Sequence, residues 1–196
     1  MNIQNLLISL MMVIVVSASA VEKPAYSSNY KGQEQRRIKS LSNDDVQQLE
    51  AGKGWGLAKA AELNGMPGPS HVLQMKDKIG LSRKQETQIQ RLFAGMQAEA
   101  IPLGKRLVQL EKQLNEAFAK RKITDASLRN KLQQIADVRK ELRYVHLATH
   151  LKTPAILSTQ QIELYNRLRG YHHADPCSHI PEGHNADMWR RHNGCE

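Results

Sequence analysis

Leu81-Ser82-Arg83-Lys84-Gln85 and Leu157-Ser158-Thr159-Gln160-Gln161 are two copies of one phrase, and the residues between them decide the fold. In each copy a serine stands where a helix N-cap hydroxyl is needed. A glutamine follows three positions later, the spacing at which its side chain returns to the cap's own N–H. Leu157 and Ile162 hold the hydrophobic-staple positions of the second box, whereas the first has Glu86 at the corresponding place.

Downstream of Ser82, apolar residues recur three or four apart: Ile89, Leu92, Phe93, Met96, Ala100, Leu103, Leu107, Leu110, Leu114 and Phe118. That period predicts one long amphipathic helix to about Arg121, with a bend where Pro102 removes a backbone donor. Thr124 caps the return helix, which carries Leu128, Leu132, Ile135, Val138, Leu142, Val145 and Thr149 and ends before Pro154. A last helix is predicted over Thr159 to Leu168. Two long helices joined by a short turn form an antiparallel hairpin, so the chain reads as all-α, a long bent helical hairpin with short flanking helices. The flanking helices are predicted from Ser42 to Gly52, from about Trp55 to Leu63, and from His71 to Ile79 before Gly80.

Outside the hairpin, residues 1–20 contain no charged side chain and run apolar from Leu6 to Val16, broken only by Ser9. They end in Ser17-Ala18-Ser19-Ala20, which reads as a secretory signal cleaved after Ala20, so the mature protein is expected to be exported. Eleven such residues are too few to span a bilayer, so no transmembrane segment is expected after cleavage. Residues 21–40 are polar and read as a flexible leader, 41–170 as the helical domain and 171–196 as a tail.

The formal net charge of +9 excludes little by itself. An exported protein meets no chromosome, and no basic patch interleaved with aromatics is present, so nucleic acid is not expected as a partner. Anionic lipid head groups or acidic unfolded clients suit the charge better. With two Phe and two Trp in 196 residues the core must be aliphatic. The sequence has no G-x-S-x-G, no phosphate-binding Gly loop and no paired carboxylates on a rigid scaffold, so an enzyme is not expected.

Two constellations can carry chemistry. His146 and His150 lie four apart, one turn of helix, as do His71 and Met75. Reflecting the hairpin about its turn sets Glu99 opposite His146, with Met96 nearby. His71, Met75, Met96, Glu99, His146 and His150 therefore form a candidate ligand set whose N, O and S donors suit Zn, Cu or Ni better than Mg or Ca. The same histidines also read as seam residues, and the methionines as core fillers. In the tail, His172, His173, His179, His184 and His192 form a second tract able to hold metal loosely, and Cys177 with Cys195 is a candidate disulfide.

With Ser in place of the usual Thr, the two boxes resemble the motif of the LTxxQ superfamily, the Spy/CpxP-like group of small periplasmic helical proteins. Gly54-Trp55-Gly56-Leu57-Ala58 and the run from Ala61-Glu62-Leu63-Asn64-Gly65-Met66-Pro67-Gly68-Pro69 to Ser70-His71-Val72-Leu73 resemble its heavy-metal sensor and resistance branch, similar to CnrX and ZraP. The metal branch implies ligands on the helices, including an i, i+4 pair before each motif, as His71/Met75 and His146/His150 stand here. The chaperone branch implies a cradle-shaped homodimer that holds unfolded proteins without ATP. The resemblance also implies a membrane sensor or regulator as a partner in envelope stress response.

Overall fold

Each serine predicted as a cap accepts a hydrogen bond from the backbone three residues on, and helices start there. The computed structural model describes residues 26–171, 177 and 180–195, which leaves the segment read as a secretory signal and the histidines at 172, 173 and 179 outside the described residues. The helices are α1 (Asn43–Glu50), α2 (Lys59–Glu62), α3 (Pro69–Gln74), α4 (Arg83–Ala119), α5 (Asp125–Lys152), α6 (Thr159–Leu168) and α7 (Ala186–His192). No β-strand occurs among the described residues, and the fold is all-α. None of these helices is long and apolar enough to cross a membrane.

At 37 residues, α4 is about 55 Å long at 1.5 Å per residue. It runs through Pro102 without interruption. The proline leaves the Ala98 carbonyl without its helical donor, and both residues are exposed, so water can serve that oxygen. Thr124 caps α5 through Ser127, and the two helices pack as the predicted hairpin. Leu107, Leu110, Ile135, Leu142 and Val145 form its seam, together with Leu49 of α1. A second cluster, of Val72, Ile79, Ile89 and Tyr165, joins α3, the start of α4 and α6.

The two capping boxes are also bonded to each other. The Gln85 amide donates to Gln161 Oε1 at 2.8 Å and Gln161 returns the bond at 3.2 Å, while each Oε1 also accepts from its own cap N–H. The remaining amide hydrogens reach Ile156 O and Gly80 O. The start of α6 is thereby tied to the start of α4. Glu86, where a staple residue would stand, meets Lys76 Nζ at 2.7 Å instead.

The sequence reading is corrected at three places. The helix predicted from Trp55 is confined to Lys59–Glu62, because Trp55 and Gly56 have φ of 41° and 71°, outside the helical region. Trp55 sits in that conformation with its indole N–H on Asp45 at 2.7 Å and the Arg139 guanidinium over its ring. The helix predicted over His71 to Ile79 ends at Gln74 and continues as turns to Gly80. The leader boundary at residue 40 lies too late, since Ile38 is buried in the hairpin core and Lys39 N–H is held by Asn115. Residues 26–34 form a separate unit of turns.

α1 meets α4 at Gly104, where a Cβ would overlap the Leu49 carbonyl. Gly95, on the exposed side of the same helix, has nothing within 4 Å of its Cβ direction. Gly104→Ala is therefore expected to lower the unfolding free energy by about 2 kcal/mol or more through overpacking against backbone. Gly95→Ala is expected to raise it by about 0.5–1 kcal/mol through helix propensity. Urea unfolding followed by circular dichroism measures both, and equal effects would contradict the close crossing.

Candidate functional site

The site grows from the end of α2. Glu62 is its last residue, and the chain then turns through Asn64-Gly65-Met66-Pro67-Gly68 before Pro69 starts α3 at the position where a missing N–H costs nothing. This path buries the Glu62 carboxylate, 9% exposed, between α3, α5 and α6. Its Oε1 accepts the Tyr165 hydroxyl at 2.6 Å and contacts His71 Nδ1, Arg169 Nε and the Tyr171 hydroxyl, each at 3.2 Å. Arg169 also donates to Tyr171 Oη at 2.8 Å. Oε2 has no hydrogen-bond partner among the described residues and lies 3.9 Å from His150 Nδ1.

His150 and His146, one turn apart on α5, are 8% and 3% exposed. His150 Nδ1 donates to the Met66 carbonyl at 2.8 Å, so in the neutral ring Nε2 is the lone-pair nitrogen. That nitrogen packs on Gly68, where a Cβ would come within 2.5 Å of it, and only glycine lets the loop close over the ring. His146 Nε2 is buried and has no hydrogen-bond partner among the described residues. Two buried polar atoms, the Glu62 Oε2 carboxylate oxygen 3.9 Å from His150 Nδ1 and the His146 Nε2 imidazole nitrogen one helical turn before His150, thus have no hydrogen-bond partner among the described residues, and each carries an unrecovered desolvation cost.

Titration behaviour follows from these surroundings. Burial pushes the Glu62 carboxyl up, but the hydrogen bonds from His71 and Tyr165 and the charge of Arg169 outweigh it and hold the pKa at about 2. The Tyr165 hydroxyl is driven well above its ordinary value by burial and by the carboxylate it serves. His146 is lowered by burial and then by His150, which favours a neutral ring with a lone pair.

The structure brings His71 and His150 to one carboxylate, with His146 one turn along α5, but that carboxylate is Glu62. Glu99 is exposed on α4. Met96 belongs to the hairpin core and Met75 packs against the α3–α6 cluster, so neither thioether joins the carboxylate group. Sequence reasoning missed Glu62, Tyr165, Arg169 and Tyr171. The local signal was an acidic residue just before a dense breaker run, but its partners lie about a hundred positions downstream. In the tail, a disulfide joins Cys177 to Cys195, and His184 stands edge-on to Trp189 with ring centroids 4.9 Å apart. His184 and His192 are exposed.

No protein-family model, curated protein or solved structure matches this chain. Among the described residues, no group of three or more His, Cys, Asp or Glu side chains is arranged as it stands to hold a metal ion. The donor chemistry nevertheless fits a borderline transition metal: a carboxylate oxygen without a partner, a neutral imidazole without a partner, and a second imidazole held by a single backbone carbonyl.

Because the Glu62 pKa is depressed from 4.5 to about 2, its contribution to stability is fully present above pH 4.5 and is lost as pH falls through about 2. The shift corresponds to an order of 3 kcal/mol. Glu62→Gln is expected to be less stable than the parent by about that amount at pH 7, with the gap closing between pH 4.5 and 2. Urea midpoints across that range test it; a gap independent of pH would mean that the carboxylate charge is not what the network holds.

Proposed function

We propose that the chain is an exported, periplasmic metal-binding protein of envelope heavy-metal or stress response, with no catalytic role. The observation that carries this reading is the pair of buried atoms without a hydrogen-bond partner among the described residues, Glu62 Oε2 and His146 Nε2, near a His150 ring whose lone-pair nitrogen packs on Gly68. Glu62, His146 and His150 would hold a Zn, Cu or Ni ion, which as a bound Lewis acid would neutralise the buried carboxylate. The loop from Asn64 to Gly68 meets His150 through the Met66 carbonyl and Gly68, so occupation of the site would act on the contacts of that loop. Those include the Asn166 amide bond to Gly65 O and the His150 bond to Met66 O. His71, Arg169 and Tyr171 hold the carboxylate from the outer side. The resemblance to the heavy-metal branch of the LTxxQ superfamily supports the same reading, and Glu62 and His71 both lie in the segment that carries it.

A second reading, an ATP-independent holdase working as a homodimer, is favoured by the exposed Tyr144 and Leu151, seven apart on α5 and so on one face of it. The two readings separate by chelation: a holdase would suppress aggregation of an unfolded client with all metal removed.

The deciding experiment is titration with Zn, Cu and Ni ions of the chain ending at Tyr171, which keeps every partner of Glu62 and removes the tail histidines. One ion per chain is expected to bind at micromolar concentration or below. His146→Ala with His150→Ala is expected to weaken it at least a hundredfold, and Glu99→Ala to leave it unchanged. Binding that survives the double substitution, or that appears only with the tail present, overturns the core site.

A further inference from the structure

We propose that the tip of the α4–α5 hairpin is a docking site for the surface of an anionic phospholipid membrane. The proposal is independent of the metal reading. It rests first on where the charge is. Residues 36–41 and 111–131 hold nine Lys and Arg against three carboxylates, so this end of the hairpin carries six of the chain's nine excess positive charges. The two segments are fastened together: Asn115 accepts from Lys39 N–H at 3.2 Å and donates to Arg37 O, and Ser40 donates to Glu111 at 2.8 Å.

The three carboxylates are already engaged. Glu111 takes Ser40, Glu116 pairs with Lys112, and Asp125 pairs with Arg129 at 2.9 Å. Arg37, Lys120, Arg121 and Lys122 are exposed, and none is in an ion pair among the described residues. Lys120, Arg121 and Lys122 form the turn itself. Arg121 takes a φ of 52°, a left-handed conformation unfavourable for a side-chain-bearing residue, in a place that glycine would occupy without strain.

Apolar surface stands beside this charge. Phe118, in the last turn of α4, is 51% exposed, and Leu132 on α5 is 48% exposed. A turn between two helices is convex, so it presents its cations to a plane rather than enclosing an extended chain. Several cations around an exposed ring and an aliphatic side chain match the headgroup layer of a bilayer, where phosphates meet the charges and the ring enters the interface. An acidic polypeptide would satisfy the charges without drawing on Phe118. Bound by this end, the hairpin would hold the Glu62 region away from the membrane by about 30 Å, the rise of α5 from Asp125 to His146.

Flotation of the full chain with vesicles tests this, using phosphatidylcholine alone and phosphatidylcholine with 30% phosphatidylglycerol. Binding to the anionic vesicles and not to the neutral ones is expected. Lys120→Glu with Arg121→Glu and Lys122→Glu is expected to lower partitioning at least tenfold. Reversal of three exposed cations elsewhere (Arg83→Glu, Lys84→Glu and Arg167→Glu) is expected to lower it less than threefold, although the net charge changes equally. Phe118→Ser is expected to weaken binding severalfold in high salt, where the charges are screened. Circular dichroism confirms that each variant stays helical. Equal losses from the two triple reversals would show diffuse charge rather than a built surface and would overturn the proposal. So would no binding to anionic vesicles, or binding of the tip to an acidic polypeptide with none to vesicles.

Discussion

A carboxylate taken out of water has to be met by donors, and the Glu62 side chain is where the short helices acquire their positions. Four donors converge on one oxygen: His71 of α3, Tyr165 of α6, and Arg169 and Tyr171 just beyond α6. A short α2 of four residues has little stability of its own, and α3 has six. Both are fixed because the chain between them must carry Glu62 to Tyr165 and then return His71 to the same atom. The hairpin needs no such device. Its caps and its aliphatic seam determine it locally, and the seam side chains are each worth about 1.5–3 kcal/mol when fully buried.

The asymmetry of that carboxylate matters for what the protein can do. One oxygen is crowded with donors and the other has none, although both belong to the same buried group. Proteins rarely leave such an atom unserved, and here a second one, on His146, lies among the same packed elements. Gly68 closes the arrangement over His150 so tightly that a methyl group could not be accommodated. Gly68 thus closes over His150 while Glu62 Oε2 and His146 Nε2 stay without a hydrogen-bond partner among the described residues.

Those parts of the fold that depend on neighbours in sequence were legible. Ser42, Ser82, Thr124 and Ser158 marked helix starts because capping acts over three residues, and the hairpin seam showed in a period of three and four. The stretch at Trp55 misled because its left-handed backbone is held by Asp45 and Arg139, contacts that no local pattern reports. Reflection about the turn gives a position along the hairpin for Glu99 but not its rotation about the helix axis. Glu99 stands one position before the fully buried Ala100 and faces outward. His71 and His150, which the structure brings to the Glu62 carboxylate, stand out in sequence because each belongs to an i, i+4 pair on a helical stretch. Glu62 was missed because what makes it distinctive is a hydroxyl and a guanidinium more than a hundred residues away.

The mutual bond between Gln85 and Gln161 has a kinetic side. The hairpin is made of contacts that close through a short turn, whereas this amide pair spans 76 residues and Glu62 to Tyr165 spans 103. Loop-closure entropy makes the local pairing form first and the long spans last. Read in reverse, the least expensive partial opening releases α6 while α4 and α5 stay zipped. The Glu62 cluster would then be exposed in a state that has lost little helix, and the glutamine pair is one of the contacts, with Tyr165 and Arg169 on Glu62, that oppose it.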